Sequence, residues 1–268
     1  MTDWMNLPTL ATKHGAAIDT MNGVIHILMA ILFVGWGAFF VYTLFRFRKS
    51  AHPVADHHGV TSHTSTYLEI GVAVAEAVLL FGFSVPLWIK WVDKPPAVGE
   101  ALTVQVTGEQ FAWNIHYPGP DGKFGRQSTD KIDMQTNPLG LDRSDPDAKD
   151  DVITLNQLHL PVNKPVIVRL RSKDVIHGFN VPEFRVKQDA VPGLTIPIWF
   201  TPTITTEEMR QKTGNPEFTY EIACAQLCGL GHYRMRGFVT VESQEEFTKW
   251  FDSEEAKAAE EGSDAWSN

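Results

Sequence analysis

Two apolar stretches, residues 23–45 and 68–92, restrict this chain more than any other feature. The first contains no charged residue and is rich in Ile, Leu, Phe, Val and Trp. A helix needs about 20 apolar residues to cross the hydrocarbon core of a bilayer, and both runs reach that length. A buried helix of a soluble protein is the alternative for such a run, and it is disfavoured here because no face is polar. The first run is too long for the apolar part of a signal peptide, and residues 1–22 are mixed and polar with no basic start and no Ala-x-Ala site. Arg46, Arg48 and Lys49 follow it at once. The positive-inside rule therefore puts that end in the cytoplasm and the N terminus outside. Trp88 and Trp91 sit near the far end of the second run, where amphipathic rings favour the headgroup region, and Pro86 is expected to kink its last turns. After two spans the chain is outside again.

Glu76 lies about two turns inside the second run, a depth at which a carboxylate is costly against lipid. The hairpin is thus expected beside a larger membrane protein. The connecting loop, residues 46–67, carries His52, His57, His58 and His63, which read as a solvated loop. Residues 93–100, with Pro95 and Pro96, end the helix and form a linker.

From residue 101 the pattern changes to period two. Leu102, Val104 and Val106 alternate with polar residues, as do Phe111, Trp113 and Ile115. Residues 118–151, full of Gly, Pro, Asp and Asn, form a long polar excursion. Strand-like runs resume at 152–158, 166–171, 194–201, 218–223 and 237–242. Short strands at such spacing predict an all-β sandwich or barrel over 101–243. Ser243 followed by Glu246 is a capping signature for a helix over 244–259, with an acidic tail to 268.

Both cysteines of the chain fall in one short segment, Cys224-Ala-Gln-Leu-Cys-Gly-Leu-Gly-His-Tyr-Arg-Met. Cys224, Cys228, His232 and Met235 are soft ligands of the kind that suits copper. Two thiolates can each bridge two copper ions, which calls for a second histidine from elsewhere. His177, in the loop expected after the 166–171 strand, is the best candidate, and His116 and His159 compete with it by count alone. A structural Cys224–Cys228 disulfide and a zinc site stay open on spacing alone.

Net charge is −9, which excludes a nucleic-acid partner that needs a basic face. More than half of that charge belongs to the last eighteen residues, where six acids face one lysine. The remaining 250 residues carry only −4, so the total says little about a docking face.

Taken together, Asp174-Val-Ile-His-Gly-Phe, Phe184-Arg-Val-Lys-Gln-Asp-Ala-Val-Pro-Gly and the 224–235 loop make the chain resemble subunit II of the haem–copper cytochrome c oxidases. The resemblance spans nearly the whole chain. It implies a membrane α-hairpin followed by an all-β cupredoxin-like domain with a binuclear copper A centre. It also implies that Cys224 and Cys228 bridge both coppers. His177 and Met235 would complete one ion; His232 and the backbone carbonyl of Gln226 would complete the other. The implied activity is electron acceptance from a c-type cytochrome, or from a haem c subunit of a larger respiratory assembly, and delivery to the haems of subunit I, where oxygen is reduced to water. The implied location is a bacterial inner membrane, with the copper domain on the periplasmic side.

This chain departs from the family pattern at two positions. Gln226 stands where the family usually has Glu, whose carboxylate helps hold magnesium or manganese against subunit I. A neutral amide is a weaker ligand for a hard cation, which counts against that ion here. Phe111 stands where the family has the Trp that receives the electron, while Trp113 is kept, so the two are alternative points of electron uptake. Glu69 aligns with a family carboxylate near the cytoplasmic mouth of a proton path in subunit I, or is an ordinary interfacial glutamate. No Cys-x-x-Cys-His occurs in the chain, so the donor is expected to be a separate polypeptide. A quinol-oxidase-type subunit would lack the copper ligands. A free-standing copper carrier would expose Glu76 to lipid.

Overall fold

The computed structural model describes residues 3–55, 57–59, 61–97 and 99–264, and the last four residues of the acidic tail lie outside them. The chain divides into two units, residues 1–7 with 16–93 and residues 8–15 with 94–268.

The first unit is helical. α1 (Gly15–Arg46) extends eight residues upstream of the uncharged run and ends on the basic cluster. α2 (Thr64–Leu79), one π turn (Leu80–Ser84) and α3 (Val85–Val92) follow one another without a break. Pro86 lacks the N–H that would bond back into the preceding turn. The distortion expected at this proline takes the form of the π turn just before it. Both helical stretches, 15–46 and 64–92, are long and apolar enough to cross a membrane. Their large side chains, Phe33, Phe40 and Phe81 among them, point outward. Glu69 and Glu76 are both exposed on α2. Seven residues apart, they lie on one helix face, about 10 Å apart along the axis.

The second unit is a β-sandwich of two five-stranded sheets. One sheet runs β3 (Val152–Leu155), β2 (Ala112–Tyr117), β1 (Leu102–Glu109), β5 (Val166–Ser172), β8 (Ile196–Phe200). The other runs β4 (Gln157–Pro161), β10 (Arg236–Glu242), β9 (Tyr220–Cys224), β6 (His177–Val181), β7 (Val186–Ala190). Side chains from both sheets fill the space between them, with Val106, Trp113, Ile115, Val168 and Leu170 meeting Phe179, Tyr220, Ile222 and Val239. Each such burial is worth roughly 1.5–3 kcal/mol.

Residues 152–158, expected as one strand, are two. Asn156 adopts positive φ, which asparagine tolerates. Its side-chain Oδ1 accepts from the Trp113 N–H at 2.8 Å, and its carbonyl accepts from Phe238 at 2.8 Å. One residue thus hands the chain from the first sheet to the second. The polar excursion forms no strand among the described residues, and it is pinned at defined points. His116 Nε2 meets Asp151 Oδ2 at 2.7 Å, both side chains fully buried. Asp142 accepts from Arg126 and Lys131, each at 2.7 Å, and from Ser144.

Two helices flank the sandwich. α4 (Thr206–Thr213) opens on a capping box between Thr205 and Glu208. α5 (Gln244–Asp264) starts with Ser243 and Glu246 bonded reciprocally, as that pair predicted, and runs beyond the expected residue 259.

Residues 8–15, expected as part of a plain outer segment, form a strap on the sandwich. Ala11 donates to the Glu183 carbonyl at 2.9 Å and accepts from Thr203 at 2.9 Å, and Thr12 Oγ1 donates to the Phe184 carbonyl at 2.9 Å. Ala11 is fully buried. Ala11→Asp would bury an unpaired carboxylate and is expected to destabilise the β unit by about 2 kcal/mol or more. Lys13→Ala, at an exposed position, should change stability by less than about 0.5 kcal/mol. Thermal unfolding followed by near-ultraviolet circular dichroism checks both, and an unchanged midpoint for Ala11→Asp would contradict the packing of the strap.

Candidate metal centre

The soft side chains converge because three strand ends meet. β9 ends at Cys224 and β10 begins at Arg236, directly after Met235. The Cys224 N–H donates to the Met235 carbonyl at 3.1 Å, closing the intervening segment into a loop. β6 lies beside β9, with Phe179 opposite Cys224, and begins at His177. His177 is thus the first residue of a strand, not part of the loop before it.

The two thiol sulfurs are 3.8 Å apart and the cysteines are free. Cys224 Sγ lies 4.0 Å from His177 Nδ1 and 3.3 Å from the Gln226 carbonyl oxygen. Cys228 Sγ lies 3.7 Å from His232 Nδ1 and 3.7 Å from Met235 Sδ. His177, Cys228 and Met235 are buried, while Cys224, Gln226 and His232 are half-buried. Burial first, and the adjacent Cys224 thiol second, push the Cys228 thiol up to about 11. At neutral pH it keeps its proton, so binding a metal must displace that proton.

Asp174 orients the histidine. Its Oδ1 accepts from His177 Nε2 at 2.8 Å, which leaves Nδ1 as the free lone pair facing the sulfurs. Burial opposes the Asp174 charge, but hydrogen bonds from His177 and from the backbone N–H groups of Gln110 and Val175 hold it below the usual carboxylate range. Gln110 also donates through Nε2 to the Cys228 carbonyl. One turn thereby ties Asp174 to the ligand loop.

Two glycines make the close approaches. A Cβ at Gly108 would come within 2.8 Å of the His177 ring, and one at Gly231 within 2.3 Å of the Phe111 ring. Asp174, Gln110, Gly108 and Gly231 were not singled out individually in the sequence. Asp174 sits three residues before His177 inside a quoted motif, which is the signal that could have found it.

The remaining candidates are placed as follows. His116 is paired with Asp151, and His159 bonds Glu242 at 2.9 Å while stacking on Trp250, so neither joins the cluster. Phe111 is half-buried against the ligand loop. Trp113 is fully buried, its ring edge-on to His177 with centroids 6.0 Å apart. It offers no surface to a partner. Leu227, Leu230 and Tyr233 are all more than 80% exposed, an unusual share of apolar surface for one loop.

Residues 102–243 match the family described as cytochrome c oxidase subunit II, periplasmic domain. The chain belongs to the cytochrome c oxidase subunit II family. It is 35% identical over 257 residues to an alternative cytochrome c oxidase subunit 2 of Bradyrhizobium diazoefficiens, covering 96% of this chain and 86% of that one. It is 27% identical to cytochrome c oxidase subunit 2 of Cereibacter sphaeroides, over 90% of this chain and 77% of that one. The crystal structure of the periplasmic domain of subunit II from Bradyrhizobium japonicum matches at 31% identity and a TM-score of 0.42, covering 62% of this chain and all of that domain. The chain is thus a membrane subunit of a haem–copper oxidase, itself an oxidoreductase, with its β domain on the outer side.

His177, Cys224 and Cys228 present ligand atoms within 4.8 Å of one another. With His232 Nδ1, Met235 Sδ and the Gln226 carbonyl beside them, this donor set fits copper: two thiols, two imidazole nitrogens and a thioether suit a soft ion, and a lone carbonyl oxygen does not disturb that. Removing the carboxylate that orients a ligating histidine typically costs roughly 10–100-fold in metal affinity. Asp174→Ala is therefore expected to weaken copper binding by that factor, measured by competition with a chelator. Asp174→Asn, which can still accept from Nε2, should lose less. Equal affinity for Asp174→Ala and the native chain would contradict the orienting contact.

Proposed function

We propose that this subunit accepts electrons from a c-type haem protein at a binuclear copper A centre and passes them to the haem centres of the oxidase for reduction of oxygen to water. The observation that carries the reading is the thiol pair, 3.8 Å apart, with one imidazole Nδ1 beside each sulfur. That symmetry is what two bridged ions need and what a single blue-copper ion does not. In this reading Cys224 and Cys228 would be shared by both ions, His177 and Met235 would complete the donor set of one, and His232 and the Gln226 carbonyl would complete that of the other. When bound, the copper pair supplies a one-electron centre whose charge is spread over two ions.

The protein's own contribution is to keep the ligands still. Cys224 and Met235 are locked by a backbone hydrogen bond, and His177 is held by Asp174 on one side and given room on another by Gly108, where a Cβ would strike its ring. Ligands that cannot move on reduction keep the reorganisation cost of electron transfer small. Burial of Met235 and Cys228 keeps water from one side of the centre.

Electron uptake is assigned to the face bearing Phe111 and Leu230. Phe111 lies against the ligand loop and reaches the surface, while Trp113 is sealed behind His177. Trp113 is then a packing partner of His177. Leu227, Leu230 and Tyr233 offer apolar contact to partner proteins. The strap of residues 8–15 joins the β unit to the start of α1, and residues 94–101 join it to the end of α3. The basic cluster Arg46, Arg48 and Lys49 after the first apolar stretch favours a cytoplasmic turn and an outer β domain, in a bacterial inner membrane. Glu69 and Glu76, on one face of α2, favour a partner helix there over lipid.

The test is rapid-mixing reduction of the intact oxidase by its c-type donor. Phe111→Trp is expected to change the rate of copper reduction severalfold with the copper spectrum unaltered, and Trp113→Phe to leave that rate within about twofold. Cys228→Ser should abolish the fast phase. A Phe111→Trp rate equal to the native one, with Trp113→Phe slow, would move electron uptake to Trp113.

A further inference from the structure

The arm from Cys224 to Gln226 is anchored twice on one rung of the second sheet. The Ala225 N–H donates to the Gly178 carbonyl at 2.9 Å, and Gln226 Nε2 donates to Asp189 Oδ2 at 2.9 Å. Gly178 and Asp189 are register partners in the β6–β7 pair, and the next rung is His177 opposite Ala190. The strand pair that presents His177 therefore also grips the arm that presents the Gln226 carbonyl. A half-buried carboxylate such as Asp189 needs a donor, a cation or a proton beside it. A glutamine supplies the donor. A glutamate, as the family pattern has at this position, would set a second carboxylate at hydrogen-bond distance from Asp189 and require a shared cation or proton.

We infer that Gln226 is a positioning residue: its side-chain amide, held by Asp189, fixes its own carbonyl toward the copper pair, and this direct amide–carboxylate bond replaces a divalent-cation clasp at the loop. The inference rests on the copper reading above. In this chain the loop is held by protein alone, and its geometry does not depend on magnesium or manganese.

The experiment uses the intact oxidase and reads the copper hyperfine splitting and the copper reduction potential, with EDTA at a level that leaves copper content unchanged and with added Mg2+. The native complex is expected to give the same spectrum and potential in both. Gln226→Glu should keep its copper, but its spectrum and potential should shift with Mg2+ and shift back with EDTA. Asp189→Leu should alter the hyperfine splitting at native copper content. If that variant does not assemble, Gln226→Leu, which keeps the backbone carbonyl, should show the same alteration. A native spectrum that changes on EDTA and is restored by Mg2+ would overturn the inference. So would Asp189→Leu or Gln226→Leu with native spectrum and potential. A native complex whose only copper is that of the haem–copper centre is a different failure, read directly from metal content, and would refute the copper reading itself.

Discussion

The hydrogen bond from the Cys224 N–H to the Met235 carbonyl is the contact on which the arrangement depends. It turns twelve residues into a closed loop between β9 and β10, so that four soft side chains face one small volume. The fifth, His177, arrives from the neighbouring strand. Every other element serves that convergence. Two sheets with a shared apolar core give the strand ends a fixed separation, because close-packed interiors resist displacement. Asn156 passes the chain between the sheets, and the buried His116–Asp151 pair ties down the long polar excursion. Rigidity at the ligands is inherited from packing far from them.

Much of this architecture was legible in the sequence because its signals are strong. Uncharged runs of membrane length, period-two alternation and the Ser243–Glu246 pair each reflect one dominant force. β6 and β7 were not legible. His-Gly-Phe-Asn-Val and Val-Lys-Gln-Asp-Ala mix Gly, Asn, Asp and Lys into short strands, whose pairing comes from the sheet around them and not from propensity. The same holds for α4, a short polar helix whose capping box lay outside the patterns read as strands. The strap was missed because its anchors are mostly backbone groups, which carry no sequence signature.

At the site, residue type and the quoted motifs singled out the candidate ligands, with His177 foremost among the histidines, and the structure brings those side chains together. His116, His159 and His177 are equivalent by count. They differ in what packs around them: a buried carboxylate for the first, Glu242 and a tryptophan face for the second, and the thiol pair for the third. Phe111 and Trp113 were likewise equal in the sequence. Burial separates them, since one reaches the surface across Gly231 and the other is enclosed behind His177. The positioning residues, Asp174 and Gln110, act through hydrogen bonds that only tertiary geometry shows.

The central claim is that two thiolates share two copper ions in this loop. Copper content and the electron paramagnetic resonance spectrum of the full-length subunit, purified in its oxidase, test it most directly. The account predicts two coppers for each chain beyond the one in the oxidase's haem–copper centre, and a hyperfine pattern from one electron shared equally by two copper nuclei. One such additional copper with the pattern of a single nucleus, or none with an oxidised Cys224–Cys228 pair, would contradict it.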